Sequence, residues 1–145
     1  MRILQTGVML LATVLAGCAT ENPTYPEPKM TDDVRQVMAM KDAGRGTPET
    51  ATLEGLFKTY TGCMPSGRVW EEMEPGVIFF TCRAPAGGMV QFIWKAKGEA
   101  EKRHFVLNEV VITNMADQEW SALNYRGKEA EAMLERVRRN EPVSK

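Results

Sequence analysis

The sequence predicts an α+β fold: a two-layer sandwich in which an antiparallel four-strand meander is packed by one or two helices, after a signal peptide and a Pro-rich tether. Three observations carry this. Four segments between Arg68 and Thr113 read as strands, the second and third with clear apolar faces and the fourth of mixed pattern. They are parted by short Gly- and Pro-bearing connections, which favour antiparallel neighbours over crossovers. The stretches on either side place apolar residues at helical spacing. A chain of 145 residues with 43% hydrophobic content supports one domain around one core.

The tether, Ala19 to Pro28, has three Pro in ten residues and no periodicity, the composition of a stiff, extended spacer. Thr31-Asp32-Asp33 starts a helix with a capping hydroxyl and acids in the first turn. Val34, Val37 and Met38 carry it to about Lys41, and Gly44 to Pro48 breaks it. This first helix reads as loosely attached to the body. A second helix runs over 53–61, with Thr50 or Thr52 as its cap and Leu53, Leu56, Phe57 and Tyr60 on one face. Gly62 ends it, and Met64-Pro65-Ser66-Gly67 is a turn. The first strand covers 68–73, and Glu74-Pro75-Gly76 turns into a second over 77–83, where Ile78, Phe80 and Cys82 share a face. Ala84 to Gly88 is a flexible connection. Strand three covers 89–96, with Val90, Phe92 and Trp94 on one face. The charged 97–103 stretch reads as a loop, and strand four covers 104–113. Asn114 is a possible cap for a long helix from Asp117 to about Arg139, which Gly127 splits or kinks. The globular domain thus spans 31–140 and the tail 141–145.

Charge narrows the function classes. With 18 Lys+Arg against 19 Asp+Glu the formal net charge is −1, without the basic footprint of a nucleic-acid binder. No apolar run reaches the roughly 18–20 residues of a spanning helix, which excludes a multi-pass channel. A single His makes a His-rich metal site a poor fit, and no cofactor or metal is expected.

The amino terminus reads as an address. Arg2 follows Met1, an apolar stretch runs from Val8 to Val14, and Leu15-Ala16-Gly17-Cys18 closes it. A positive start, a short apolar region and small residues before a cut mark an export signal. The last four residues resemble the lipobox of bacterial lipoproteins. That resemblance implies cleavage between Gly17 and Cys18, making 1–17 the signal peptide and 18–30 the lipidated Cys and tether. It also implies a diacylglyceryl group on the Cys18 thiol and usually an acyl group on its new amino group. Two or three acyl chains give durable attachment at about 0.8 kcal/mol per buried CH₂. Position 19 is Ala, not the Asp that favours inner-membrane retention in that family. In a host with two membranes, this implies sorting to the outer one, with the domain facing the periplasm.

Lipidation also explains an odd cysteine count. Of three Cys, Cys18 is spoken for, and Cys63 and Cys82 remain in an oxidising compartment where pairing is the default. Their bridge closes a loop of about 20 residues, worth on the order of 3 kcal/mol. No C-x-x-C marks a redox pair.

A further resemblance rests on Thr52-Leu53-Glu54-Gly55-Leu56-Phe57, Trp70, Val77-Ile78-Phe79-Phe80-Thr81 and Gln91-Phe92-Ile93. Their order is similar to that in uncharacterised secreted bacterial modules with a helix followed by a β meander, many of them lipoproteins. The layout also resembles the small two-layer folds of outer-membrane assembly lipoproteins and of β-lactamase-inhibitor-type domains. It covers roughly 52–114, implies the fold, and transfers no functional residue.

A catalytic set is not legible. His104 is the sole His, opens a strand, and lacks a nucleophile elbow nearby. Glu71 and Glu72 are adjacent on a strand and point to opposite faces. Gly87-Gly88 lacks the Lys and helix start of a phosphate loop. Arg136, Arg138 and Arg139 suit the negative end of a helix dipole, with anionic headgroups or an acidic partner as the alternative. Met38 and Met40 diverge on a helix and read as packing residues, not Cu(I) ligands. Among Trp70, Trp94 and Trp120, Trp70 is singled out as a possible partner-binding anchor, because Val69 precedes it and one of the two must face away from the core.

The functional expectation is a membrane-anchored lipoprotein whose periplasmic domain is a non-enzymatic binding or accessory module for an envelope protein. The alternatives are a small apolar ligand carrier, with a cavity between sheet and helix, and a small cell-envelope hydrolase.

Overall fold

The computed structural model describes residues 27–42, 51–116 and 119–143. The segment read as a signal peptide, Cys18, most of the expected tether, Thr50, the expected 44–48 breaker and the side chain of Trp120 lie outside the described residues.

Asp32–Met38 forms α1, with the Thr31 hydroxyl accepting from the Val34 N–H. Leu53–Thr59 forms α2, and Thr52 caps it by accepting from the Gly55 N–H. The strands are β1 (Val69–Glu74), β2 (Val77–Arg83), β3 (Met89–Lys97), β4 (His104–Ala116) and β5 (Glu119–Arg126), and α3 spans Lys128–Arg138. They form an open, antiparallel five-stranded sheet in the order β1-β2-β3-β4-β5, so the fold is α+β. The 97–103 loop contains one 3₁₀ turn, Ala100–Lys102.

The predicted long helix from Asp117 is corrected. Its first half is β5, and the helix proper starts only at Lys128. The i, i+3 spacing of Trp120 and Leu123 misled, because 121–126 also reads with period two: Leu123 and Tyr125 are half-buried while Ala122, Asn124 and Arg126 are exposed. Tyr125 pairs with Val110 and Leu123 with Ile112, so extending the sheet gives both side chains a packed cross-strand position. Gly127, at φ 55°, is the pivot between strand and helix, not a kink within a helix. The meander therefore has five strands where four were expected.

One core joins the sheet to all three helices. Ile78, Phe80 and Cys82 from β2, Phe92 and Trp94 from β3 and Val110 from β4 meet Val34, Val37, Phe57 and Val137 from the helices. Phe57 is its hub, with ring centroids 4.1 Å from Phe80, 4.9 Å from Phe92 and 6.1 Å from Trp94. Offset and edge contacts of this kind add about 0.5–1.5 kcal/mol each beyond area burial. The opposite face carries Phe79, Ile93, Gln91, Val111 and Glu109 in cross-strand rows.

The expectation that α1 hangs loosely is overturned. Val34 and Val37 are fully buried, and Arg103 donates to both oxygens of Asp33, one bond at 2.7 Å. Arg103 also lies over the Phe105 ring, 5.0 Å from its centroid. Sequence patterning registers only the amphipathic stripe, not an ion pair spanning 70 positions.

Cys63 and Cys82 are bonded and buried, as expected, with Cα atoms 5.5 Å apart. The bridge staples the segment after α2 to β2.

Candidate binding site

Two neighbouring concavities flank the turn between β2 and β3, and a third lies beside Trp70. Their walls follow from local backbone chemistry. Gly88 has φ +85°, and a Cβ there would sit 2.5 Å from Asn114 Oδ1 and 2.7 Å from the Thr113 carbonyl oxygen. Only glycine lets the hairpin tip fold onto the end of β4. At Gly62 the reason is space: a Cβ would meet the Tyr60 ring at 2.2 Å. The Tyr60 ring therefore folds back over the chain, and its hydroxyl donates to the Glu141 carbonyl and accepts from the Val143 N–H, both at 2.9 Å. Asn140 Oδ1 accepts from the Thr61 N–H and hydroxyl, both at 3.0 Å. These bonds latch the segment after α3 against the segment after α2, and burial pushes the Tyr60 phenol above its ordinary pKa.

The result is a cleft of about 360 Å³ between the hairpin tip and the C-terminal segment. Val90, Ile112 and Val143 form its apolar floor, Pro85, Met89 and Pro142 its walls, and no ionisable side chain lines it. Its volume falls at the lower end of the ~300–1,000 Å³ typical of small-molecule sites. Across the hairpin a shallower depression of about 560 Å³ shares Ala84, Pro85, Gly87 and Met89 with it and adds Met64 and Arg83.

Trp70 is half-buried on β1, an outer strand of the sheet. Its ring stacks on Trp94 at 5.6 Å and contacts Phe80 at 4.8 Å and Phe57 at 5.7 Å. Val69 is the residue of the pair that faces away, opposite Thr81. Trp70 is thus part core and part rim, lining a depression of about 160 Å³ with Met38, Phe57, Lys58 and Arg68. Arg68 fixes that rim by donating to the carbonyls of Lys58, Tyr60 and Cys63 at 2.6, 2.9 and 3.0 Å, which satisfies acceptors left open at the end of α2.

The remaining sequence candidates fall elsewhere. His104 is exposed, and its Nδ1 lies 2.9 Å from the Lys102 carbonyl. Glu71 and Glu72 face opposite sides of β1, opposite Phe79 and Ile78. Glu72 accepts from the Gly76 N–H at 3.0 Å and lies against Asp33. Asp33, Glu72 and Arg103 thereby converge from three elements, a cluster invisible in sequence because its members are far apart. Hydrogen bonding from Arg103 outweighs the opposing effect of burial and holds the Asp33 carboxyl below the usual carboxylate range.

The three arginines at the end of α3 are engaged by acids. Arg138 Nε meets Asp42 Oδ1 at 2.6 Å and its Nη1 meets Glu135 at 3.1 Å. Burial opposes the charge on Arg138, but these carboxylates outweigh it and raise its pKa. Arg139 donates to Glu141 at 2.9 Å, and Arg136 lies 3.9 Å from the same carboxylate. Met38 and Met40 pack against the core. No three His, Cys, Asp or Glu side chains among the described residues converge to hold a metal, and no described helix is long and apolar enough to cross a membrane. The chain matches no family model, curated protein or solved structure.

Proposed function

We propose that this chain is a lipoprotein, anchored through Cys18 after cleavage at Gly17–Cys18, whose α+β sandwich serves as a non-enzymatic binding or accessory module in the cell envelope. In a host with two membranes the domain faces the periplasm from the outer membrane. Its partner is an envelope protein docking at the β1 edge. The observation that supports this reading is Trp70, a large aromatic side chain held half-exposed on an outer strand by stacking on Trp94. A rigid aromatic beside a shallow depression is the form a binding anchor takes, and an outer strand can accept a partner strand.

The test is photocrosslinking in living cells, with a photoreactive amino acid at Trp70, Lys58 and Met73 and with Cys18→Ser as the unanchored control. A discrete protein adduct that depends on position and weakens in the Cys18→Ser chain is expected. Absence of adducts at every position in acylated protein would overturn the reading.

A further inference from the structure

The geometry points to a second site, separate from the Trp70 rim: the two concavities around the Ala84–Gly88 hairpin together bind a single-chain anionic amphiphile, its aliphatic chain in the cleft and its acidic head on Arg83. The cleft suits hydrocarbon. Its floor is Val90, Ile112 and Val143, and it offers no charge to a ligand. A lined apolar cavity of about 150 Å³ already holds benzene, so the 360 Å³ here has room for a longer apolar chain. The two amides at the rim, Asn114 and Asn140, provide uncharged polarity where a chain would emerge.

Charge then selects the head. Arg83 is exposed at the end of β2 and lines the adjoining depression. Every arginine at the end of α3 is engaged by a carboxylate, and Arg68 is spent on three carbonyls. Arg83, by contrast, makes no ion pair with any described residue. An uncharged apolar cleft beside a cation that pairs with no described carboxylate is complementary to an acid with an aliphatic tail. The two concavities share Ala84, Pro85, Gly87 and Met89, so a flexible chain passes from one to the other across the hairpin tip. The inference needs neither a protein partner nor the Trp70 edge, and stands if the docking proposal fails.

The test uses the full chain in nanodiscs of phosphatidylcholine, labelled with dodecanoic acid bearing a terminal diazirine and mapped by mass spectrometry. Label is expected on peptides spanning Ala84–Met89 and Asn140–Val143. Ala86→Trp, at an exposed cleft-lining position, should cut it about fivefold or more, the ratio that ~1 kcal/mol gives. Arg83→Ala should weaken labelling by the acid while leaving labelling by the matching diazirine dodecanol unchanged. Label spread evenly over the surface, or unaffected by Ala86→Trp in a chain with native circular dichroism, would overturn the site. An equal response of acid and alcohol to Arg83→Ala would overturn the assignment of its head.

Discussion

Removing one partner from the Asp42–Arg138 pair should have a strongly unequal effect depending on which partner goes. The Asp42 side chain is 0% exposed and Arg138 is 24% exposed, with 2.6 Å between Nε and Oδ1. Among the described residues Asp42 Oδ2 has no hydrogen-bond partner, and Arg138 is the described cation that compensates that carboxylate. At an effective dielectric of about 20 and roughly 4 Å between charge centres, their attraction is about 4 kcal/mol before desolvation is counted. Arg138→Met leaves a buried, uncompensated carboxylate, which costs about 3–5 kcal/mol. Asp42→Asn leaves an arginine that still reaches solvent and Glu135, so its cost is about 1–2 kcal/mol. The double variant should be less destabilised than the sum of the two, because the stranded charge is gone. Urea unfolding at neutral pH, followed by tryptophan fluorescence, reads all three. The reasoning fails if Asp42→Asn costs as much as Arg138→Met, or if the two effects add within about 0.5 kcal/mol.

Replacing Cys63 and Cys82 by Ala should lower stability by about 3 kcal/mol in the chain-entropy account, measured as a lower urea midpoint that matches that of the reduced wild type. The lowered pKa of Asp33 makes its stabilisation complete above the ordinary carboxylate value and progressively lost as pH falls through the folded-state value. Asp33→Asn should therefore weaken the protein at neutral pH and flatten the acid limb below about pH 4; parallel acid limbs for variant and wild type would refute this. Tyr60→Phe removes the two hydroxyl bonds of the C-terminal latch and leaves the Asn140–Thr61 bonds. It costs about 1–2 kcal/mol and should speed amide exchange at Val143 more than in β3.

Each reading of function relies on a different part of the molecule. The docking proposal needs an edge strand and a half-exposed ring, and the amphiphile site needs the hairpin and the latched C-terminal segment. Filling the cleft at Ala86 should leave crosslinks at Trp70 intact, so failure of one reading is distinguishable from failure of the other.

Periodicity made β2 and β3 legible, because Ile78, Phe80 and Cys82 and then Val90, Phe92 and Trp94 are buried at every second residue, and β1 was legible from the turns that bound it. The cap of α1 was legible as well, and that of α2 was narrowed to Thr50 or Thr52, since a capping hydroxyl acts on an N–H three positions away, as Thr31 and Thr52 do. Pairing of Cys63 with Cys82 was expected once the lipobox resemblance had assigned Cys18, and the bond is present. The fifth strand was not legible in the same way, because Trp120 and Leu123 fall at helical spacing while the period-two repeat is carried by Leu123 and Tyr125 alone among the described side chains. What decided it was a neighbour, β4, whose Val110 and Ile112 offer partners to Tyr125 and Leu123.

The sequence by itself therefore determined the locally encoded features: alternating faces in β2 and β3, helix caps and turns. Tertiary structure alone decided where distant groups meet. It joined Asp33 to Arg103, Asp42 to Arg138 and Tyr60 to Glu141 and Val143, and it enclosed the cleft between segments more than fifty residues apart. Such meetings leave no periodic trace, because a contact between distant residues depends on how whole elements pack and not on the spacing within any one of them.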